Sequence, residues 1–418
     1  MFINIPEALD RQCYRFPSPL VDAVTEHEPG RRLVAVKNLT VGEEFFQGHF
    51  PGSPLMPGVL MLESLSQSAA ILLLQRPDVP PRARVFLRGV NDAKFRKQVV
   101  PGDSLRLEIS VGRTRKSLAL AQATAYVGDA VVAECELLLA LMPAGVDIHP
   151  TANVHPSAVV GEGTVIGANA TIGAKVKLGP NCTIGASAVV DGDTEIGEGT
   201  EIFPFASIGL VPQDLKFKGE PTRLVIGARN IFREFVTIHR GTQGGGGVTE
   251  IGDHNVFMAY VHVAHDCHVG HHTIFGNMAT LGGHVTVEDY ANISAGSGVH
   301  QFCRVGRHAF VGGYSVITKD ALPFARTVGS RPARIFGLND TGLKRRGIPP
   351  DVMTKLKRAF RYLLQSKLNT TSALRQIERD KTLACQEVQS VVDFIRSSKR
   401  GVILRRATRR AEEVLADE

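Results

Sequence analysis

The sequence predicts three successive regions: an α+β domain, a left-handed parallel β-helix and a C-terminal α-helical segment. Three observations predict this order. The first third combines strand-like segments with one long apolar helix, the middle repeats an aliphatic side chain every six residues, and the last eighty or so residues change to helical spacing. The expected domains are 1–143, 146–337 and 338–418.

The first region has the composition of a small mixed domain. Residues 105–111, 118–126 and 130–138 are strand-like and are bounded by turn residues. Residues 58–74, GVLMLESLSQSAAILLL, are long enough and rich enough in Leu, Ala and Met to form a buried helix. One helix among several antiparallel strands is an α+β arrangement.

The second region is a hexapeptide repeat. Stepping six residues at a time from Ile148 meets only aliphatic side chains as far as Ile208, and the frame resumes at Ile226. It slips by one residue across 244–247 and then runs from Ile251 to Ile317. In a left-handed β-helix each hexapeptide forms one side of a triangular coil, so about eighteen residues make one turn. The glycine excess has the same origin, because 27 of the 42 glycines lie between 148 and 317.

The third region is helical and basic. Val352, Leu356 and Phe360 recur at helical spacing after the start signal Pro349-Pro350. Residues 338–418 contain 18 Lys+Arg and 10 Asp+Glu, whereas the rest of the chain contains 30 and 31. The net charge of +7 therefore belongs to the C-terminal segment, where acidic carriers or a diphosphate would meet it.

Composition argues against several classes of protein. The six cysteines form no CxxC pair, which disfavours a disulfide framework and a four-cysteine zinc site. The chain has no Trp and 6% aromatic residues, so a base-stacking nucleic-acid surface is not expected. No apolar run approaches the ~18 residues of a membrane span, and the first residues lack the pattern of a signal peptide, so we expect none. We expect a cytoplasmic protein without a transmembrane segment.

One loop and the helix that follows it contain candidate catalytic groups. GHFPGSPLMPGVLMLESLSQ places His49 in a Gly/Pro-rich loop and Glu63 inside the apolar helix. A structural role for both residues is the simpler interpretation, but the N–H of Gly58 lies at the helix start, where it could polarise a carbonyl. A His base, a Glu acid and such a helix end are the groups needed to dehydrate a 3-hydroxyacyl thioester.

Residues 10–142 resemble the hot-dog-fold (3R)-hydroxyacyl-acyl-carrier-protein dehydratases through RFPSPLVDAV, FFQGHFPGSPLMPGVLMLESLSQ and RKQVVPGDSL. The resemblance implies that His49 abstracts the α-proton, that Glu63 assists departure of the 3-hydroxyl and that the Gly58 N–H binds the thioester oxygen. It also implies sites formed across a dimer, with His49 and Glu63 from different chains.

The repeat contains a histidine cluster in YVHVAHDCHVGHHTIFGNMATLGGHVTV. Zinc binding is one interpretation of such a cluster, and decoration of the outer surface is another. The frame disfavours zinc, because residues around Val263 and Val269 point in different directions. Steps of eighteen place His265, Gly283 and Gln301 on adjacent coils about 4.8 Å apart. A His beside an Asp, with a backbone N–H one coil away, could activate a sugar hydroxyl and bind an oxyanion.

Residues 146 to about 400 resemble the acyltransferases that transfer an acyl group from acyl carrier protein to UDP-N-acetylglucosamine, through PQDLKFKGEPTRLVIG, TIHRGT, MAYVHVAHDCHVG, VHQFCRVG and GLKRRG. The resemblance implies that His265 is the general base, Asp266 its orienting partner and Gly283 N–H the oxyanion donor. It implies that Gly313 sets the acyl length and favours a longer chain. The implied contacts to the UDP-sugar or acyl donor are His262, His284, Gln301, Gln213, Asp214, Asn339, Arg345 and Arg346.

Together the two resemblances imply a bifunctional enzyme of lipid A and fatty-acid biosynthesis. The partners are acyl carrier protein and UDP-N-acetylglucosamine, with no metal and no cofactor beyond the phosphopantetheine of the carrier. The expected assembly is a homo-oligomer with trimeric β-helices, in the form of a D3 hexamer. Two alternatives stay open: an acyltransferase whose first domain only docks the carrier or oligomerises, and a non-catalytic β-helix scaffold.

Overall fold

A computed structural model describes residues 18–79, 83–115, 117–142, 145–366 and 368–404. The chain divides into two compact units, Met1–Gly145 and Val146–Glu418, and each is described by itself. The first of the six cysteines, Cys13, the residues 143–144 between the first two expected domains, and residues 405–418 of the third lie outside the described residues.

The first unit is a six-stranded antiparallel sheet with one long helix against it. Its elements are β1 (Ala23–Glu28), β2 (Arg32–Asn38), α1 (Phe45–Gly48), α2 (Gly58–Leu74), β3 (Arg84–Phe95), β4 (Ser104–Arg115), β5 (Leu118–Val127) and β6 (Ala130–Met142). The strand order is β1-β2-β4-β5-β6-β3, which leaves β1 and β3 at the edges. Helix α2 packs against five of these strands, β2 to β6. The predicted α+β hot-dog arrangement is confirmed.

Helix α2 forms where the sequence has its longest apolar run. It begins after Pro57, whose φ of −56° suits a helix start, and it ends at Leu74, with Gln75 as the C-cap. Its buried residues include Leu65, Ile71 and Leu72, each at most 1% exposed. Burial of such side chains against the sheet stabilises the unit by roughly 1.5–3 kcal/mol each.

The second unit is a parallel β-helix of short strands. In chain order these are β7 (Asp147–Ile148), β8 (Asn153–Val154), β9 (Val159–Val160), β10 (Val165–Ile166), β11 (Thr171–Ile172), β12 (Lys177–Leu178), β13 (Thr183–Ile184), β14 (Val189–Val190), β15 (Asp193–Ile196), β16 (Glu201–Ile202), β17 (Ser207–Leu210), β18 (Arg223–Ile226), β19 (Ile231–Phe232), β20 (Thr237–His239), β21 (Val248–Ile251), β22 (Val256–Phe257), β23 (His262–Val263), β24 (His268–Val269), β25 (Ile274–Phe275), β26 (Thr280–Leu281), β27 (Thr286–Val287), β28 (Asn292–Ile293), β29 (Gly298–Val299), β30 (Arg304–Val305), β31 (Phe310–Val311) and β32 (Val316–Ile317).

Every third strand belongs to the same parallel sheet, so the coil has three faces. We call the face with β7 the first face, that with β8 the second and that with β9 the third. The register pairs Val165 with Thr183 and Ile166 with Ile184, a step of eighteen residues. The predicted β-helix fold is therefore confirmed.

The inward positions of the repeat form the core. The rings of Phe232, Phe257 and Phe275 stack inside the coil with centroids 4.8 and 4.6 Å apart, and all three residues are fully buried. Ile148 departs from the pattern because it lies on the first coil, where the stack begins, and it is 43% exposed. From the second coil onward, the inward side chains thus form a closed core.

The C-terminal segment extends the first face and then covers it with helices. Its elements are β33 (Ala325–Val328), β34 (Arg334–Leu338), α3 (Asp340–Arg345), α4 (Pro350–Leu364), α5 (Thr370–Arg379) and α6 (Gln386–Arg396). Helix α4 begins at Pro350, as the sequence predicts, and packs on α5, α6 and β34. The Arg304 guanidinium lies 3.9 Å from the ring centroid of Phe394 and joins β30 to α6.

Among the described residues, no helix combines the length and the apolar character that crossing a membrane requires.

The stacked core predicts a difference between two phenylalanines. Phe257→Ala should lower the free energy of unfolding by about 3–5 kcal/mol, because it opens a cavity inside the coil. Phe235→Ala is the matched control: its ring also stacks, 4.9 Å from that of Tyr260, but on the outer surface, where it is 43% exposed. We expect the control to cost less than about 1.5 kcal/mol. Urea denaturation followed by circular dichroism measures both, and equal losses would contradict the inward assignment.

Candidate functional site

The β-helix is interrupted twice at one corner, the turn between the second and third faces. Residues 211–222 are inserted between β17 and β18, and residues 240–247 between β20 and β21. The same turn on later coils holds His265, Gly283 and Gln301. We call it the His265 corner. Since a regular coil needs no insertion, two insertions here indicate a built site.

His265 and Asp266 form a hydrogen-bonded pair at this corner. His265 Nδ1 lies 2.7 Å from Asp266 Oδ2. The Asp266 side chain is fully buried, whereas that of His265 is 17% exposed. Asp266 Oδ1 accepts a hydrogen bond from the Thr242 N–H, and Oδ2 accepts one from the Thr242 hydroxyl. The carboxylate therefore fixes the imidazole while Nε2 stays available to a substrate.

Gly283 lies against the imidazole from the next coil. A Cβ added at Gly283 would meet His265 Cε1 at 2.6 Å and Nε2 at 2.9 Å, so only glycine leaves room for the ring. Among the described residues, no atom accepts a hydrogen bond from the Gly283 N–H. Gly283 O accepts one from Phe302 N, beside the exposed Gln301. The structure thus places His265, Gly283 and Gln301 on successive coils at one corner, as the eighteen-residue step predicts.

His284 lies close to Asp266 at the same corner. His284 Nδ1 lies 3.8 Å from Asp266 Oδ2. Burial lowers the pKa of His284, while the negative charges of Asp266 and Asp214 raise it in part. Asp214, which acts through its charge, lies on the 211–222 insertion. Gln213 precedes it on the same insertion and is exposed.

A second histidine pair lies on β20 and β23. His262 Nδ1 lies 2.7 Å from Thr237 Oγ1, and burial and the nearby His265 lower the pKa of His262. His239 is buried and packs edge-on against His262, with ring centroids 5.1 Å apart. Burial, and next the positive charges of His262 and His265, lower its pKa to about 4. Sequence reasoning missed His239, although its place at the end of β20, just before an insertion, was a usable signal.

Other predicted contacts lie at different corners of the same chain. Asn339, Arg345 and Arg346 line a cavity of about 320 Å³ with Tyr290 and His308, at the turn between the third and first faces. The Arg346 guanidinium lies 5.1 Å from the Tyr290 ring centroid. Asn339 also caps α3, since its side chain accepts a hydrogen bond from Gly342 N.

Gly313 lies at the third corner, between β31 and β32. The nearest atom to an added Cβ there is Ala295 O at 3.6 Å, so a larger side chain would have room. The three corners thus divide the predicted acyltransferase residues. One chain holds the His265 group, the Asn339 group and Gly313 at separate edges of the coil.

His265, Asp266 and His284 offer potential metal ligands within 4.8 Å of one another. The hydrogen bonds argue for another use. Asp266 already accepts three of them, two from Thr242 and one from His265. A metal would have to displace these donors, so the absence of a resident metal stays our prediction.

In the first unit, His49 and Glu63 line different cavities. His49 faces a cavity of about 530 Å³ with Gly58, Phe95 and Arg96, and its Nδ1 lies 2.9 Å from Leu55 O. A Cβ on Gly58 would meet the Phe95 ring at 2.8 Å, so this helix start requires glycine.

Glu63 faces a separate cavity of about 880 Å³. Its Oε1 accepts a hydrogen bond of 2.9 Å from the fully buried Gln67. Gln67 is itself held by the main chain, because it accepts a hydrogen bond from Leu20 N and donates one to Ser18 O. One chain therefore orients both His49 and Glu63 by hydrogen bonds but places them at separate cavities.

Comparison with known proteins agrees with the division of the chain into two units. A FabA-like domain matches residues 16–136, a bacterial transferase hexapeptide model matches 249–283, and domain 2 of UDP-N-acetylglucosamine O-acyltransferase matches 320–403. The acyl-(acyl-carrier-protein)–UDP-N-acetylglucosamine O-acyltransferase of Stenotrophomonas maltophilia is 46% identical over 207 residues, which are 50% of this chain and 78% of that protein. The chain belongs to this O-acyltransferase family.

Further members agree in sequence and structure. The O-acyltransferase of Xylella fastidiosa is 47% identical over 198 residues, 47% of this chain and 75% of that protein. The crystal structure of the UDP-N-acetylglucosamine acyltransferase from Bacteroides fragilis aligns with a TM-score of 0.59 at 41% identity, covering 61% of this chain and 99% of that one. The chain thus aligns with nearly the whole of that structure, and the FabA-like match accounts for a further part of the chain.

The buried His239 predicts a dependence of stability on pH. The folded state keeps His239 neutral down to about pH 4, whereas the unfolded chain binds a proton near pH 6.5. The free energy of unfolding should therefore fall as pH drops through this interval, by up to about 1.4 kcal/mol per pH unit from this group. In His239→Gln the urea midpoint should fall less steeply between pH 7 and 5 than in the wild type. An unchanged slope would contradict a neutral, buried His239.

Proposed function

We propose that the chain is a bifunctional enzyme. Its second unit transfers a (3R)-hydroxyacyl group from acyl carrier protein to the 3-hydroxyl of UDP-N-acetylglucosamine. Its first unit dehydrates (3R)-hydroxyacyl carrier protein to the trans-2-enoyl thioester. The observation that carries the proposal is the His265 imidazole, which is fixed by Asp266 on one side and packs against the backbone of Gly283 on the other.

Acyl transfer follows from this geometry. Because Nδ1 faces the carboxylate, the proton lies there and Nε2 can act as the base. Nε2 takes the proton of the sugar 3-hydroxyl as that oxygen attacks the thioester carbonyl. The Gly283 N–H donates to the oxyanion of the tetrahedral intermediate. As the C–S bond breaks, the imidazolium returns its proton to the phosphopantetheine sulfur, so no resident cofactor is required.

The remaining contacts would come from a second copy of the chain. Because Asn339, Arg345 and Arg346 lie at another corner than His265, a neighbouring β-helix has to supply them if they are to bind the same UDP-sugar. Arginines suit the diphosphate, since their guanidinium groups bind phosphate oxygens in pairs. We propose trimeric β-helices with a site at each interface, within a D3 hexamer.

Dehydration needs a base and an acid at one substrate. His49 would take the α-proton while Glu63 gives its proton to the departing 3-hydroxyl, which leaves as water. The two residues line separate cavities, so we propose that each site combines His49 and Gly58 of one chain with Glu63 of another. The edge strand β3 exposes Phe86, Leu87 and Phe95, the kind of apolar edge that pairs with a second copy.

Both proposed reactions consume the same thioester. The first removes its hydroxyl and the second transfers the acyl group intact, so the two units would compete for one carrier. Joining them in one chain fixes the ratio of the two activities.

Two variants should separate the activities. His265→Ala should lower acyl transfer by about 10²–10⁴-fold and leave dehydration unchanged, and His49→Ala should do the reverse. Mass spectrometry of acylated UDP-N-acetylglucosamine and of enoyl carrier protein, with carriers of several acyl lengths, measures both. Transfer by His265→Ala would remove that residue from the mechanism. Transfer without dehydration by the wild type would favour a first unit that only docks the carrier or oligomerises.

Sites formed across a dimer predict complementation. His49→Ala and Glu63→Ala should each abolish dehydration alone. Co-expressed with different tags, they should recover up to about a quarter of wild-type activity, because about half of the dimers are mixed and each mixed dimer restores one of its two sites. The control is the chain that carries both substitutions, co-expressed with both tags. It should show no dehydration. Absence of recovery in purified mixed dimers would contradict the shared site.

A further inference from the structure

We propose that the glycine-rich insertion 240–247 is a clamp that positions Asp266, and through it His265. The central residues of the clamp are Thr242 and Gly245. Neither would touch the substrate, so both are positioning residues. The inference rests on the proposed acyltransferase function and assigns a role to the segment that makes the hexapeptide frame slip by one residue.

Thr242 supplies two of the three hydrogen bonds that Asp266 accepts. Its N–H donates to Oδ1 at 2.8 Å and its hydroxyl donates to Oδ2 at 2.6 Å. The same Oδ2 faces His265 Nδ1. A buried carboxylate is costly unless its oxygens are hydrogen-bonded, and donors on both oxygens also fix its plane. The orientation of the imidazole therefore depends on Thr242.

Gly245 closes the clamp from outside. Its backbone lies so near Asp266 that an added Cβ would overlap the carboxylate. Asp266 is 1% exposed as a result, and water has little access to its oxygens. The adjacent Gly244 differs, because an added Cβ there meets nothing within 4 Å.

The loop is held in this form by its own backbone. The carbonyl of Thr242 accepts hydrogen bonds from Gly245 N at 3.1 Å and Gly247 N at 2.8 Å. Gly246 and Gly247 have φ values of 100° and 84°, which glycine adopts without strain. Both ends of the segment pair with Arg223 on the preceding coil, through Gly241 N and Gly247 O. The clamp is therefore anchored to the regular ladder.

A displacement of the carboxylate would act on the chemical step. Holding a base within about 0.5 Å of its productive position is a large part of catalysis, and a 1 Å error costs about 10²-fold. Binding of the sugar and of the carrier depends on other groups. Loss of the clamp should lower kcat and leave KM nearly unchanged.

Thr242→Val removes the hydroxyl but keeps the shape and the backbone N–H. We expect a fall in kcat of about 10- to 100-fold, with KM for UDP-N-acetylglucosamine and for the acyl carrier within about twofold. Thr242→Ser restores the hydroxyl and should recover most of kcat. Thr273→Val is the matched control, because that buried hydroxyl donates at 2.6 Å to Asn255 Oδ1, away from His265. It should leave kcat unchanged.

Two neighbouring glycines provide an independent test. Gly245→Ala should lower kcat by at least about 10-fold, because the new methyl group displaces Asp266. Gly244→Ala adds the same methyl group where there is open space and should leave kcat unchanged. All variants are assayed as the full chain, with folding checked by circular dichroism and size-exclusion chromatography.

The outcomes separate this proposal from the one on which it depends. Wild-type kcat in folded Thr242→Val and Gly245→Ala, with His265→Ala inactive, overturns the clamp alone. Acyl transfer by His265→Ala would overturn the assignment of His265 as the base, on which the clamp depends. A raised KM with unchanged kcat in Thr242→Val, or an equal loss of kcat in Gly244→Ala and Gly245→Ala, also contradicts the clamp.

Discussion

Every sixth side chain of the second unit has to fit inside a triangular coil. This requirement determines where insertions and functional side chains can lie. In a regular coil each inward residue stacks on the one eighteen positions earlier, as Ile184 does on Ile166, and an insertion lengthens this step, as between Phe232 and Phe257. Extra residues cannot enter a face without breaking this register, so insertions leave at the corners. Both long insertions leave at the His265 corner, and the coil thereby provides a rigid base for a site made of turns.

The site itself depends on a buried charge. Asp266 would be costly in this position without Thr242 and His265, whose donors occupy both of its oxygens. The surrounding histidines fit the same account, since burial lowers the pKa values of His239, His262 and His284. Neutral imidazoles around one anion avoid a cluster of positive charges.

In each of the two units, the residues of a proposed site lie apart within a single chain. In the sheet-and-helix unit, His49 and Glu63 are each oriented by a local hydrogen bond, to Leu55 O and from Gln67, yet they line separate cavities. In the β-helix, the His265 group and the Asn339 group lie at separate corners. In both units one chain thus holds parts of a proposed site apart. The proposed assembly would bring these parts together in both halves, and this would give oligomerisation a catalytic reason.

The sequence alone determined the coil, the long helix and the stacking of His265 on Gly283, because these follow from local periods: six residues, 3.6 residues and eighteen residues. It also identified Glu63 as a carboxylate within an apolar helix and Asp266 as the acid beside His265. Only the tertiary structure revealed His239, whose burial depends on the neighbouring coil, and Thr242, whose partner lies 24 positions away. Only the structure separated Arg346 and Gly313 from His265, because the corner that a residue occupies depends on the register after each insertion. Periodicity is a local property of the chain, whereas a site that joins several coils depends on contacts between residues far apart in it.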